Sequence, residues 1–505
     1  MPEGLPPLIQ ALTDPDCYDH PVAAVRLVET HISYVLLTGT YAYKIKKSLN
    51  LGFLDFSTLE KRRQACLDEV RLNRRLAPEI YLGVVSLTGS PSSPRIDGAG
   101  EVIEFAVKMR QFPPDATLDL LDAQGLLEAR HIEAIAATLG RFHLDGCQRA
   151  EADSPWGGPE AVWRPVEQNF LQIAPRLDDP TDSRRLDALR RWSEAEHTRL
   201  APCMAQRKRD GLVRECHGDL HLGNLAWVDD GLLVFDCIEF NPELRWIDIV
   251  SEVAFCFMDL IHRRHRDWAW LLLNRWLEQT GDHGGLALLR YYAVYRALVR
   301  AKVAFIRASQ GGDHHDDAGV EGRAYLQLAE ELTRLPVLHL DITHGLSGSG
   351  KTTVTHALMQ SGAAIRLRSD VERKRLAGLD ALARSGSGIA SGLYSADATR
   401  HLYQHLADLA DGFLQAGWPV IVDATFTARW QRDLFRRLAD ARGVDFRILD
   451  FALAEATLRE RIRQRAQRGS DASEADLAVL QHQLETQEAL APDELGAVVA
   501  VDNAA

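Results

Sequence analysis

The run Gly345-Leu-Ser-Gly-Ser-Gly-Lys351-Thr352 has the spacing G-x-x-x-x-G-K-[ST], and it joins an apolar β-like stretch to a helical pattern. Glycines at 345, 348 and 350 allow the backbone to curl until its N–H groups face phosphate oxygens, with Ser347, Ser349 and Thr353 in the same cradle. Lys351 adds a cation at the β- and γ-phosphates, and the Thr352 hydroxyl suits Mg²⁺. The chemistry expected is binding of a nucleoside triphosphate, ATP, with Mg²⁺.

Four further segments bear on Mg²⁺, the transferring group or an acceptor. Ile365-Arg-Leu-Arg-Ser-Asp370 reads as a strand ending in an acid at a sheet edge. Asp370 is placed to take a proton from an attacking hydroxyl, and Arg373, one turn on, to hold the acceptor. The alternative for Asp370 is a helix N-cap. Trp418-Pro-Val-Ile-Val-Asp423 reads as a buried strand whose terminal acid would hold a water on Mg²⁺ or simply end the strand. Five arginines lie between Leu458 and Arg468, and helical spacing puts Arg461, Arg465 and Arg468 on one face. Such a face fits a lid that stabilises charge on a transferring phosphoryl group, or a solvated helix surface. Ser385 to Gly392 is a candidate substrate loop or a linker.

A second constellation stands upstream. His217-Gly-Asp219-Leu-His-Leu-Gly-Asn224 is followed by a turn at Asp229 to Gly231 and an apolar strand reaching Asp236. An Asp in a loop, an Asn five residues later and an Asp after a hairpin can orient a hydroxyl and hold Mg²⁺ beside ATP.

The elements that must position these groups are legible too. Ser33 to Lys44 reads as strand, tight turn, strand, and Leu59 to Leu76 as a helix carrying Glu69. By resemblance to protein-kinase-like enzymes, Glu104 to Phe112 would be the hinge between lobes. Arg141-Phe-His143 belongs to a helix before the loop, with His143 a packed core histidine, and the same resemblance implies that Asp248 ties the loop to the following helix.

The upstream set resembles the catalytic loop and metal-binding acid of protein-kinase-like enzymes, in the version of aminoglycoside phosphotransferases and choline kinases. That resemblance implies a bilobal fold, Asp219 as catalytic base, Asn224 and Asp236 as metal ligands, and Lys44 as the phosphate-binding lysine paired with Glu69. Lys46 and Lys47 compete for the lysine role, and no G-x-G-x-x-G lies between residues 22 and 40. The downstream set resembles the small P-loop kinases that include polynucleotide 5′-kinases, zeta toxins and gluconate-type kinases. It implies a parallel sheet with helices on both faces. The order of the two modules is similar to bacterial fusions of an aminoglycoside-phosphotransferase-like domain to a P-loop kinase.

At 505 residues and 46% hydrophobic content, the chain exceeds one core. The expected division is residues 1–310, a linker with a short helix over 311–336, and residues 337–505. A formal charge of −13 argues against a general nucleic-acid coat. No apolar run is long enough to span a membrane, and seven cysteines without a C-x-x-C pair read as reduced, buried thiols of a cytoplasmic protein.

The expected function is a two-headed ATP-dependent phosphotransferase acting on hydroxyl acceptors, most simply small molecules. The alternatives are a C-terminal head that phosphorylates a polynucleotide 5′-hydroxyl, and an ATP-sensing regulator with one non-catalytic head.

Overall fold

A computed structural model describes residues 5–50, 54–309, 315–381, 383, 392–468 and 473–501. The chain separates into two units, Met1–Asp259 with Phe305–Gly312, and Leu260–Ala304 with Asp313–Ala505. Among the described residues no helix is long and apolar enough to cross a membrane.

The first unit begins with an antiparallel sheet of β1 (Arg26–Glu29), β2 (Ser33–Leu37), β3 (Tyr41–Lys46), β4 (Tyr81–Ser90), β5 (Ser93–Ile96) and β6 (Val102–Arg110), in the order β1-β2-β3-β6-β4-β5. Alternation along β3 sets the chemistry. Tyr43 and Ile45 enter the core with Ile9, Leu36, Val85 and Ala106, so Lys44 and Lys46 must project from the opposite face. There they meet the helix Leu59–Asn73, whose first turn is capped by the Thr58 hydroxyl accepting from the Lys61 N–H.

The second lobe of this unit is mainly helical, with the helices Ala129–Arg141, Pro159–Ile173 and Pro180–Arg209. A short ladder pairs β7 (Val213–Glu215) with β10 (Trp246–Asp248), and a hairpin is formed by β8 (Leu225–Val228) and β9 (Gly231–Val234). A sheet lobe and a mainly helical lobe are the division expected from the sequence.

Asp248 does not bind the His217–Asn224 loop. It accepts from both Arg207 Nε and Nη2, at 2.7 and 2.8 Å, and from the Val250 N–H, so it joins the helix Pro180–Arg209 to the helix Ile249–His262. Both side chains are almost wholly buried. Arg207→Ala would strand a buried carboxylate, and the expected cost is about 3–5 kcal/mol in urea unfolding. Unchanged stability would contradict this account of the contact.

The second unit holds a parallel sheet of β11 (His339–His344), β12 (Ile365–Arg368), β13 (Val420–Asp423), β14 (Asp445–Asp450) and β15 (Val498–Ala500), in the order β12-β13-β11-β14-β15. Leu340, Ile342, Val420, Val422 and Ile448 are buried, as strands covered on both faces require.

The units do not part where the expected linker lies. Residues 260–304 group with the P-loop sheet, and His315–Leu332 is an 18-residue helix with Tyr325, Leu326 and Ala329 buried. The reason is visible at β12, an edge strand with backbone groups to satisfy. Asn274, on the helix Arg266–Thr280, accepts from the Arg366 N–H at 2.7 Å and donates to the Ala364 carbonyl at 3.1 Å. Glu278, one turn on, accepts from the Arg366 guanidinium at 2.7 Å.

Candidate active sites

In the first unit the lysines sort themselves by partner. Lys44 Nζ donates to Glu69 Oε1 at 2.9 Å and to Asp236 Oδ1 at 2.5 Å. Lys46 donates to the other Glu69 oxygen and to Glu239, and Lys47 turns outward to Glu29. Burial works against the Lys44 ammonium, but Asp236, Glu69 and Glu239 outweigh it and hold Lys44 well above its ordinary value. Burial likewise opposes the Asp236 carboxylate, and Lys44 overcomes it and holds Asp236 low. Lys44 is thus a fixed cation beside an ionised acid, which is what phosphate and metal binding need.

The loop that carries Asp219 is held from behind. Glu252, on the helix Ile249–His262, accepts from the His217 and Gly218 N–H groups and is paired to His143 Nε2 at 2.7 Å. Asp259 accepts from the Leu222 N–H at 2.9 Å. Gly218 sits at φ +91°, and a Cβ there would meet the Leu244 carbonyl at 2.7 Å, so the His-Gly-Asp order is imposed by space as well as conformation. Asn224 Nδ2 donates to the Asp219 carbonyl at 2.8 Å and to Asp219 Oδ2 at 3.1 Å. That orientation turns the Asn224 side-chain oxygen, Oδ1, away from Asp219 and toward a ligand.

Asp236 has a positive φ of 64°, a conformation costly for a residue with a Cβ and found at functional sites. Two groups from the first lobe fix this turn: Tyr81 OH accepts from the Asp236 N–H, and Asn73 Oδ1 from the Cys237 N–H. The donors facing the site, Asn224 and Asp236, are hard oxygens, and they fit Mg²⁺. Glu69 and Asp219 complete the set expected from sequence.

In the second unit the segment between β11 and the helix Lys351–Gly362 forms the cradle. Gly345, Gly348 and Gly350 have φ of 152°, 84° and 87°. A Cβ at Gly348 would meet the Leu458 carbonyl at 3.0 Å, and one at Gly350 would meet the Arg461 guanidinium at 3.2 Å, so the helix Glu455–Arg468 lies directly on this loop. Lys351 Nζ folds back to the Gly345 and Leu346 carbonyls at 2.8 Å each. Three glycines at positive φ leading into a helix N-terminus, with Lys351 folded over them, fit a polyphosphate.

Of the remaining expected residues, Asp423 ends β13 beside this helix and accepts from the Thr355 hydroxyl at 3.2 Å, with Arg368 Nε 4.0 Å away. Thr355 follows Lys351 by four residues, so it shares the helix face of the lysine, a spacing that sequence reasoning passed over. Thr352 and Thr353 occupy the first turn of the same helix. Ser347 donates its N–H to Gln483 Oε1 at 2.9 Å, a contact from the helix Leu477–Thr486 that no local motif signals.

Asp370 lies in the first turn of the helix Ser369–Leu376, whose N-cap position is Arg368, so capping is not its role. Arg373 donates to the Leu393 carbonyl at 2.6 Å and stacks over Tyr394. Burial, then Asp370, pushes the Tyr394 phenol up to about 12. Arg465 and Arg468 have side chains outside the described residues, as does most of the Ser385–Gly392 loop.

Glu372, beside this region, is nearly buried and is paired to His283 at 3.1 Å and to Arg375 at 3.2 Å. Burial opposes the carboxylate, but the hydrogen bond with His283 and the nearby His405, 3.5 Å away, hold it well below its ordinary range. A depressed folded value means the stabilisation is present above the unfolded value of about 4.3 and fades as pH falls below it. Urea unfolding is therefore expected to weaken between about pH 4.3 and pH 3, and Glu372→Gln to flatten that slope. An unchanged slope in the variant would assign the acid sensitivity elsewhere.

A family model described as an AAA domain matches residues 340–490. The second unit is a P-loop nucleotide-binding domain. Among curated proteins, the uncharacterized protein Rv2004c of Mycobacterium tuberculosis is 30% identical over 429 residues, covering 84% of each chain. Mb2027c of Mycobacterium bovis matches to the same extent. The chain belongs to this family.

The family's alignment is long enough to cross both units. Among solved structures, the amicoumacin kinase hAmiN is 13% identical, with a TM-score of 0.40, over 64% of this chain and 92% of its own. An ethanolamine kinase of Plasmodium vivax is 11% identical, with a TM-score of 0.39, over 62% and 84%. A sugar kinase from Janibacter is 23% identical, with a TM-score of 0.27, over 34% and 87%.

Proposed function

We propose that the chain is a two-headed ATP-dependent phosphotransferase, each head transferring the γ-phosphoryl group to a hydroxyl of a small molecule. The observation that carries this reading is the presence of two separate sets of phosphate- and metal-binding groups. One is Lys44, Glu69 and Asp236 with Asp219 and Asn224; the other is the Gly345–Thr353 cradle with Asp423.

In the first head Lys44 binds the phosphates and is kept aimed by Glu69. Asn224 and Asp236 would hold Mg²⁺, and Asp219 orients the acceptor hydroxyl and takes its proton. Mg²⁺ would neutralise the charge of the phosphates when bound. In the second head the backbone of residues 345–353 and Lys351 bind the phosphates, Arg461 adds charge over them, and Thr352 with Asp423 would hold Mg²⁺. Asp370 takes the acceptor proton and Arg373 holds the acceptor.

The test is transfer of label from γ-³²P-ATP to a pooled panel of sugars, aminoglycosides, nucleosides and 5′-hydroxyl oligonucleotides. Label on a small molecule supports the reading. Label only on oligonucleotides replaces it with a polynucleotide kinase, and ATP binding with no transfer replaces it with a nucleotide sensor.

A further inference from the structure

Behind the Asp219 loop lies a buried cluster that the two proposed reactions do not use. His143, Cys216 and Glu252 bring one ligand atom each to within 4.8 Å of one another, and all three are buried. Cys147 joins them. The Glu215 N–H donates to the Gln148 carbonyl and the Ala150 N–H to the Val213 carbonyl, with Arg149 opposite Arg214. Antiparallel register then sets Cys147 directly opposite Cys216, at a position without ladder hydrogen bonds, where facing side chains approach most closely.

Cys147 also follows His143 by four residues across the π-helical turn Phe142–Gly146, and its thiol lies 3.9 Å from the His143 carbonyl. Local π geometry of this kind is concentrated at functional sites.

We propose that His143, Cys147, Cys216 and Glu252 together bind a Zn²⁺ ion. One nitrogen, one sulfur and one carboxylate oxygen already lie together, and the Cys147 sulfur facing Cys216 would complete a closed tetrahedral donor set of the type structural zinc takes. Binding would release the two thiol protons, so with His143 neutral the charge of the cluster does not change, and no charge is buried without a partner. The metal would replace the hydrogen bond between His143 Nε2 and Glu252 Oε2, while Glu252 Oε1 continues to hold the His217 and Gly218 N–H groups. The site would brace the loop that carries Asp219 without touching substrate.

The full chain, purified under reducing conditions and stripped with a chelator, is titrated with Co²⁺ and then Zn²⁺. The expected result is thiolate-to-cobalt charge-transfer absorption that saturates at about one ion per chain and is displaced by zinc. Cys147→His keeps a nitrogen donor and is expected to retain zinc with weaker charge-transfer intensity. The Cys147→Ser, Cys216→Ser double variant is expected to lose it. Absence of the band in the reduced wild-type chain would overturn the proposal, and so would a band of full intensity in the double variant. A Cys147–Cys216 disulfide in the freshly isolated chain, with no metal bound after reduction, would overturn it in favour of a redox pair.

Discussion

Asp219→Asn is expected to lower phosphoryl transfer by the first head about 10²- to 10⁴-fold, the usual contribution of a positioned general base. Asparagine keeps the shape of the side chain and an oxygen that can still accept from Asn224 Nδ2, now 3.1 Å from Asp219 Oδ2. The Gly218 turn and its anchors on Glu252 are untouched, so the fold and nucleotide affinity should survive. What disappears is the ability to accept a proton from the acceptor. Single-turnover transfer at saturating ATP would show a fall in rate with little change in nucleotide binding. A rate equal to wild type would remove Asp219 from the chemistry and leave this head a binding module.

The second large effect is expected at Lys351. Lys351→Ala removes the only side-chain cation within the Gly345–Thr353 motif, and a lost charge-stabilising donor of this kind costs about 10²- to 10³-fold in rate. In the structure this ammonium donates to two carbonyls of its own loop, which hold it inside the cradle ahead of any ligand. Its loss should therefore weaken ATP binding as well as transfer. Transfer assigned to the Asp219 head should be unchanged. Comparing both variants on each labelled acceptor separates the heads. An acceptor whose labelling survives both substitutions would show that neither site is responsible.

Much of both candidate sites was legible in the chain because the chemistry is local. Gly345 to Thr353 spans one loop and one helical turn, and His217 to Asp236 spans one loop and one hairpin. Lys44 was harder. Three lysines stand at 44, 46 and 47; the alternation of β3 sets only Lys47 apart, and Asp236 and Glu239 divide the other two. Glu69 proves to be shared by two of them, and Glu239, passed over in the sequence, completes the pairing. Thr355 and Gln483 were missed for related reasons. One shares a helix face that only matters once Asp423 is opposite, and the other arrives from more than a hundred residues away.

Composition and spacing by themselves determined that this chain holds a P-loop, a second constellation of Asp219, Asn224 and Asp236, and more than one core. These are properties of short segments, where residue type and the helical or strand period dictate what faces what. Tertiary structure alone decided where the units part and what braces the catalytic loop. The polar stretch after Ala308 has the look of a boundary, yet the helix Arg266–Thr280 belongs to the P-loop sheet because Asn274 satisfies the exposed edge of β12. Likewise the anchor of the Asp219 loop is Glu252 rather than Asp248. Both acids flank the same helix start, and which one meets the loop depends on Arg207, brought from the end of a 30-residue helix to claim the other.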